Sequence, residues 1–290
     1  MPDVPVTAIV IFRNEAHLLE RCLSALRWCD ELIAVDMQST DNSAAIAATF
    51  ADRLYTVPPA PIAEPTRVAA ARLAGHDWVL LVDPDEVIPG DLANDIGDHL
   101  VKHPHAGAFE LPMWFYFKNA QLHGTVWGTL TNKLRLIHRQ RCDLLPWCNR
   151  ISRLKPGQAC VRIPHTGRNH IRHYWSNSYR DLLHKHFCRY AHTEAKAMVA
   201  EGKRFTFKRA FIHPLTELYR CLRHFDGLRL GPRGWALSAI YFAYTLASDW
   251  LMLYYQHAGG NAANDSQDDE QPLPTLHETP LAHARARNAA

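Results

Sequence analysis

A chain of 290 residues that is 47% hydrophobic and 21% charged has the balance of a folded soluble protein, large enough for one large or two small domains. Its seven cysteines are odd in number and form no C-x-x-C pair, which excludes a disulfide framework and implies reduced thiols in the cytosol. The net charge of +3 hides a segregation: residues 1–110 hold 17 acids against 7 bases, and residues 133–189 hold 13 bases against only Asp143 and Asp181. An acidic half suits a metal and a basic half suits an anionic ligand, unless the bases form a solvated face.

The start, MPDVPVTAIVIF, lacks the basic region and cleavage site of a signal peptide, and VTAIVIF (6–12) is the continuous β-branched run of a buried parallel strand. NEAHLLERCLSALRWC follows as a helix, with Asn14 as cap and Leu18, Leu19, Cys22, Leu23 and Leu26 on one face. ELIAVD (31–36) is a second strand ending in a carboxylate, and QSTDNSAAIAATFA offers Ser39, Thr40 or Asp41 to cap an alanine-rich helix. RLYTV (53–57) is a third strand, TRVAAARLAG a helix closed by Gly75, and DWVLLVD (77–83) a fourth strand. A helix from about Pro89 to His103 and a strand AGAFELP complete the alternation. Strands alternating with helices predict an α/β fold with a mostly parallel sheet, whose ligands bind beyond the carboxyl ends of the strands. Asp36 and Asp83 stand at such ends.

After residue 112 the chain becomes aromatic and basic without a clear period, until WSNSYRDLLHKHFCRYAHTEAKAMVAEG (175–202) reads as a helix. Residues 235–255 are apolar except for Ser238, Thr245, Ser248 and Asp249, and the polar remainder from 259 reads as disordered. The expected divisions are therefore 1–112, 113–202, 203–258 and the tail 259–290.

The sharpest chemical signal is WVLLVDPDEVIP (78–89), where a buried strand delivers Asp83 and Asp85, one residue apart, to the rim of the sheet. Mg²⁺ or Mn²⁺ is typically shared between one or two carboxylates and substrate phosphates, so this spacing suits one Asp on metal and the other on a ribose or on the metal's waters. A capped turn with solvated acids is the plain alternative.

Four ordered blocks, IVIFRNE (9–15), CLSAL (22–26), DELIAVDMQSTDNS (30–43) and WVLLVDPDE (78–86), resemble the family-2 glycosyltransferases of GT-A fold. HYWSNSY…KHFCRYA (173–191) is similar to a segment of the branch that extends the lipopolysaccharide core or related surface glycans. The resemblance implies a Rossmann-like sheet and metal-dependent, inverting transfer from a nucleotide sugar, most often a UDP-sugar, to a glycan or glycolipid acceptor. By the same resemblance Phe12, Arg13 and Glu15 lie against the nucleoside, Asp36 accepts a hydrogen bond from the base, and Asp83 contacts the ribose. Asp85 and the late His173 hold the divalent cation, and Lys185 and Arg189 contact phosphate or acceptor. Glu15 could instead complement a helix N-terminus, and Asp36 could cap the turn that follows it. Relatives carry acids in stretches that read GTVWGTLTNKLRL and LLPWCNRI here, which leaves Glu86, ahead of Glu110, as the expected catalytic base. A nucleotidyltransferase would bring a glycine-rich phosphate loop, which IFRNEAH lacks, and a binding protein without turnover is the other rival.

Residues 200–233 carry eight bases against Glu201, Glu217 and Asp226, directly before the aromatic-rich apolar stretch. That juxtaposition predicts a helical extension lying on an anionic membrane surface at the cytoplasmic face, with no nucleic-acid partner. A buried helix or a dimer interface would give the same composition.

Overall fold

A computed structural model describes residues 4–60, 62–123, 125–147, 150–258 and 273–281. In chain order the elements are β1 (Val6–Phe12), α1 (Ala16–Ser24), β2 (Glu31–Asp36), α2 (Ser43–Phe50), β3 (Arg53–Thr56), α3 (Glu64–Leu73), β4 (Trp78–Val82), β5 (Glu86–Val87) and α4 (Gly90–Lys102). There follow β6 (Ala108–Phe117), β7 (Ala120–Gln121), β8 (Thr131–His138), β9 (Cys142–Trp147), β10 (Arg150–Leu154), β11 (Cys160–Arg162) and β12 (Ile171–Ser176). The chain then runs through α5 (Tyr179–Lys185), a π-helical turn (His186–Tyr190), α6 (Ala191–Ala200), α7 (Phe207–Tyr219), α8 (Pro232–Ala258) and β13 (His277–Thr279). Two compact units result: Met1–Met113 with Thr131–His173 and Gln271–Ala290, and Trp114–Leu130 with Tyr174–Glu270.

The first unit is built on a mixed sheet. β3, β2, β1 and β4 are parallel neighbours in that order, and β8 and β6 continue the sheet antiparallel. β1 to β3 progress in one direction and β4 returns to the other side of β1, so the order reverses between β1 and β4. That is the switch point at which open α/β sheets form a ligand crevice. The central strands are apolar on both faces because helices cover both. Ile9, Ile11, Ile33, Val35, Val79 and Leu81 pack with Ala70 and Ala71 of α3, whose small side chains let the helix approach the sheet. Leu19 and Leu23 of α1 are likewise fully buried.

Several local expectations are corrected. Asn14 does not cap α1; it adopts φ 55° and its Oδ1 accepts a hydrogen bond from Thr40 N at 2.7 Å. Asn42, not Ser39, Thr40 or Asp41, precedes α2. Gly75 closes no left-handed cap; its N–H donates to the buried Glu31 carboxylate at 2.6 Å, and a Cβ there would lie 3.0 Å from that oxygen. The segment 175–202 begins as strand, because Ser176 still belongs to β12 and Ser178 caps α5 by accepting from Asp181 N at 3.0 Å. The segment from 259 is not wholly irregular: β13 pairs antiparallel with β3.

The segregated charges neutralise each other within the first unit. Arg135 pairs with Asp83 and Glu86, Arg139 with Asp77, and Arg162 with Glu110. Arg141 Nη1 donates to the carbonyls of Pro104 and Ala106. Much of the basic half therefore needs no external anion.

In the second unit, Phe117, Leu122, Trp175, Leu182, Leu237 and Ile240 form a core. α8 packs against α6 and α7, and its Asp249 is fully buried. Arg209 Nε donates to Asp249 Oδ1 at 2.9 Å, and His213 Nδ1 lies 2.7 Å from Oδ2. Burial pushes Asp249 up, but the bonds from His213 and Arg209 outweigh it and hold its carboxyl below the ordinary range. A depressed folded pKa stabilises above the unfolded carboxylate range, about pH 4, and the stabilisation is lost as pH falls through the lower folded value. Asp249→Ala should cost about 2 kcal/mol at pH 7, below the ~3–5 kcal/mol of a fully buried pair because both partners keep some contact with water. Denaturant titrations at pH 7 and in acid provide the check: the gap between wild type and variant should narrow in acid, and a gap independent of pH refutes the pairing.

Candidate functional site

The loop after β1 and the loop after β2 are stitched together by the S-T-D-N-S run. Ser39 Oγ accepts from Asn14 N at 3.0 Å, Ser43 Oγ from Glu15 N at 2.9 Å, and Asp41 Oδ2 from Ala16 N at 3.1 Å. Three successive backbone donors at the entrance to α1 are thus satisfied by side chains of the neighbouring loop. Hydrogen bonds, led by the Ser43 hydroxyl, keep Asp41 below its usual carboxylate range. Asp36 is buried at the end of β2, where its Oδ1 accepts from Ser39 N at 2.9 Å. Asp36 therefore caps the turn, the plainer of its two readings, while standing beside Phe12 in register. The Phe12 ring is buried at 2% exposure, whereas Arg13 is exposed.

Across the switch point, the D-P-D-E turn is held from three sides. α3 supplies Arg67, whose Nη2 donates to Asp83 Oδ1. β8 supplies Arg135, whose Nη2 donates to Asp83 Oδ2 at 2.6 Å and to Glu86 Oε1. β12 pairs with β5 so that His173 lies opposite Glu86, and its Nε2 reaches Asp85 Oδ2 at 3.1 Å. Glu86 is wholly buried and its Oε2 accepts from Asp83 N at 3.1 Å, closing the turn on itself. Beneath it the buried Cys22 Sγ donates to Asp83 O at 3.4 Å.

Charge explains the response of each group. Burial pushes Asp83 up, but the guanidiniums of Arg135 and Arg67 outweigh it and hold the carboxyl well below the usual range. Burial is also the largest influence on Glu86, where Arg135 opposes it and Asp83 and Asp85 reinforce it, so the group is raised. Burial lowers His173, and its carboxylate neighbours, Asp85 first, reverse this and raise it. Two guanidiniums thus face Asp83 and Glu86, and Asp85 meets an imidazole. His170, by contrast, is pushed down to about 4 by burial, with His165 and Arg172 adding to the effect. Of the three clustered histidines, His173 is the one that meets the acidic turn.

Residues 7–135 match the family model described as Glycosyl transferase family 2. The chain carries a family-2 glycosyltransferase domain. Over 105 residues it is 34% identical to a TPR repeat-containing protein of Synechococcus elongatus, covering 36% of this chain and 26% of that one. Over 92 residues it is 30% identical to the lipopolysaccharide core biosynthesis glycosyltransferase LpsC of Rhizobium meliloti, covering 30% of this chain and 33% of LpsC. These matches span about a quarter to a third of the relatives' lengths. Among solved structures, the mannosyltransferase PcManGT of Pyrobaculum calidifontis, in complex with GDP-Man and Mn²⁺, is 17% identical with a TM-score of 0.44, covering 87% of this chain and 88% of that one.

The structure brings together Asp83, Asp85 and Glu86 of the matched residues 7–135 with His173 from beyond them, and it adds Arg67 and Arg135, which sequence reasoning missed. The signal for Arg135 was available: in N-K-L-R-L-I-H a base interrupts an apolar strand opposite an unbalanced acidic turn. Glu86, expected as the base, has both its oxygens engaged and none of its surface in contact with solvent, a setting that suits a positioning role. Glu110 stands apart, its Oε2 accepting from Arg162 Nε at 2.9 Å. Lys185 belongs to the second unit, where its Nζ donates to Trp175 O at 3.0 Å, and the Arg189 side chain lies outside the described residues. Among the described residues no three metal-ligating side chains cluster, so Asp85 and His173 stand as a pair.

Arg135→Met should destabilise the domain by about 3–5 kcal/mol, because it leaves the buried Glu86 without its guanidinium and Asp83 with Arg67 alone. Adding Glu86→Leu should recover part of the loss. Urea unfolding of the single and double variants measures both effects, and a neutral Arg135→Met removes the clamp from consideration.

Proposed function

We propose that this protein transfers a sugar from a nucleotide-sugar donor, a UDP-sugar, to a lipopolysaccharide-core, lipid-linked or other cell-surface glycan acceptor, with inversion at the transferred carbon. The observation that carries the reading is the uneven neutralisation of the acidic turn. Asp83 and Glu86 each face a guanidinium, whereas Asp85 meets His173, an oxygen and nitrogen donor pair at the rim of a switch-point crevice. That donor set fits a Mg²⁺ or Mn²⁺ ion that completes its shell with water and phosphate oxygens. A divalent cation held there supplies Lewis-acid stabilisation of the charge that develops on the departing diphosphate.

The chain's own residues have distinct tasks in this reading. Asp36, already fixed by Ser39 N, receives the nucleobase on its remaining acceptor capacity. Asp83, pinned by Arg67 and Arg135, offers its remaining lone pairs to the ribose without having to reorient. Pinning of this kind lowers the ordering cost of binding. Arg13 and Glu15 border the nucleoside from the stitched loops. Acceptor class and attachment to the inner face of the cytoplasmic membrane rest on the likeness to the lipopolysaccharide-core branch and on the basic and apolar content of residues 200–258.

Thermal shifts with UDP, GDP, CDP and ADP, each with and without Mn²⁺, test the donor. A ligand at a hundred times its Kd stabilises the folded state by about 2.7 kcal/mol. UDP with Mn²⁺ should give the largest shift, and Asp85→Ala should abolish the Mn²⁺-dependent part while leaving the unliganded midpoint within about 1 °C, as expected for a substitution away from the core. An undiminished Mn²⁺-dependent shift in Asp85→Ala sinks the metal assignment.

A second reading, a sugar-nucleotide-binding protein without turnover, draws on the engaged state of both Glu86 and Glu110. Release of free sugar from the donor in the presence of Mn²⁺ separates the two. Under the positioning role, Glu86→Gln should lower stability and donor affinity along with turnover. A loss confined to turnover, on the ~10²–10⁴-fold scale of general acid–base catalysis, would instead identify Glu86 as the base.

A further inference from the structure

Helix α7 carries polar groups on its inward side and is largely apolar on the side it exposes. At 100° per residue, Ala210, Pro214 and Glu217 share the buried side, and Arg209 and His213 turn toward Asp249. The opposite side presents Phe207, Phe211, Ile212, Leu215 and Tyr219, exposed by 67, 56, 51, 57 and 64%. Five large apolar side chains gathered on one face of a single helix form a contiguous patch, which marks an interaction site more than isolated surface residues do. α8 extends the patch: the Trp250 ring lies 6.0 Å from that of Phe211 and 6.3 Å from that of Phe207. At the far end an open apolar groove of about 290 Å³ lies between Leu215, Tyr219, Leu222, Leu228 and Trp235, with Arg223 in its wall.

The charges around this patch are predominantly basic. Lys208 projects from the exposed face itself, and Arg204, Arg223 and Arg229 are exposed before and after the helix. Of the nearby acids, Glu217 is turned inward, Asp226 pairs with Arg229 at 3.5 Å, and Glu201 pairs with Lys203 at 2.8 Å. A second copy of the chain is a poor occupant, because a two-fold interface sets the same patch against itself and brings Lys208 and its basic rim against like charges. A bilayer surface supplies what the patch lacks, an apolar layer under anionic headgroups.

We propose that α7, with Trp250 of α8, docks into the interfacial layer of a membrane containing anionic lipid. The inserted element is then α7, and α8 serves as its internal backing. A buried, doubly paired Asp249 suits α8 to that role and not to a crossing of the bilayer. Trp and Tyr on the exposed faces match the residues enriched at headgroup level. This inference stands independently of the donor chemistry.

Flotation of the full chain with vesicles of phosphatidylcholine alone, and of phosphatidylcholine mixed with phosphatidylglycerol, tests it. Wild type should float with the mixed vesicles, and brominated acyl chains should quench its tryptophan fluorescence. Phe211→Ser with Leu215→Ser should lower the bound fraction roughly tenfold or more at an unchanged melting midpoint, since two buried apolar side chains are lost from the contact. Lys208→Glu with Arg223→Glu should weaken binding to the mixed vesicles and make the remainder insensitive to salt. Failure of wild type to float, absence of quenching, or flotation of the Phe211→Ser, Leu215→Ser variant at the wild-type level overturns the proposal. So does a wild-type dimer in light scattering that ignores vesicles and dissociates in that variant, which would make a second copy the occupant.

Discussion

A guanidinium buried between two carboxylates is the constraint on which the acidic turn depends. Three acids within four residues, Asp83, Asp85 and Glu86, would repel one another at the end of a buried strand, and Glu86 has no water to screen it. Burying an unpaired carboxylate costs several kcal/mol, more than a turn can absorb. Arg135 reaches Asp83 and Glu86 with the same nitrogen, and Arg67 takes the other oxygen of Asp83. The pinned turn then fixes Asp85 without contacting it, since β5 begins at Glu86 and its pairing with β12 sets His173 beside Asp85. The geometry of the candidate cation pair therefore depends on the buried ion pair of Arg135 and Glu86.

The same physics accounts for the chain's uneven charge. Acids gathered in the first 110 residues and bases gathered after 133 look in sequence like two fields awaiting partners. In the folded first unit they interleave, because β8 inserts beside β4 and β6 runs beside β11. Arg135, Arg139 and Arg162 end on Asp83 or Glu86, Asp77 and Glu110 respectively. Segregation along the chain thus reports which segments pair in space as much as what the protein binds.

The parallel strands and their helices were legible because their signals are local. Val6–Phe12, Glu31–Asp36 and Trp78–Val82 are apolar on both faces, and each is followed by a loop or helix of distinct composition. The acidic turn was legible for the same reason. What was not legible lies in β8 to β12, mostly antiparallel strands, some of whose charged residues the fold buries. Arg135 reads as a break in an apolar run until its partners, Asp83 and Glu86 in the turn that follows β4, are known. The loop residues misled in a related way: Ser39, Thr40 and Asp41 have the chemistry of helix caps, but Ser39 Oγ and Asp41 Oδ2 accept from the loop after β1, while Asp41 Oδ1 accepts from Ser43 N of its own helix. Side-chain acceptors declare what they can bond and not which chain segment will bring the donor. Glu86 is the sharpest case: its position beside Asp85 suggested catalysis, and no local signal in the sequence foretold that it would be wholly buried.

The second unit shows how composition along a helix differs from the surface it presents. α8 is long and apolar enough to pass a length-and-hydropathy test for crossing a membrane, with a mean hydropathy of 1.2 over its best window. Averaging along the chain cannot separate residues that face α6 and α7 from residues that face outward. Resolved by face, Leu237, Ile240 and Met252 are core, and Asp249 is an internal anchor for Arg209 and His213. α7 is shorter, interrupted by Pro214 and studded with bases, so no window average singles it out, yet it exposes the larger apolar stripe. Its inward polar groups explain why that is tolerable. Arg209 and His213 bind α7 to α8 by charge, which leaves the apolar side chains of α7 available for a surface that the protein itself does not provide.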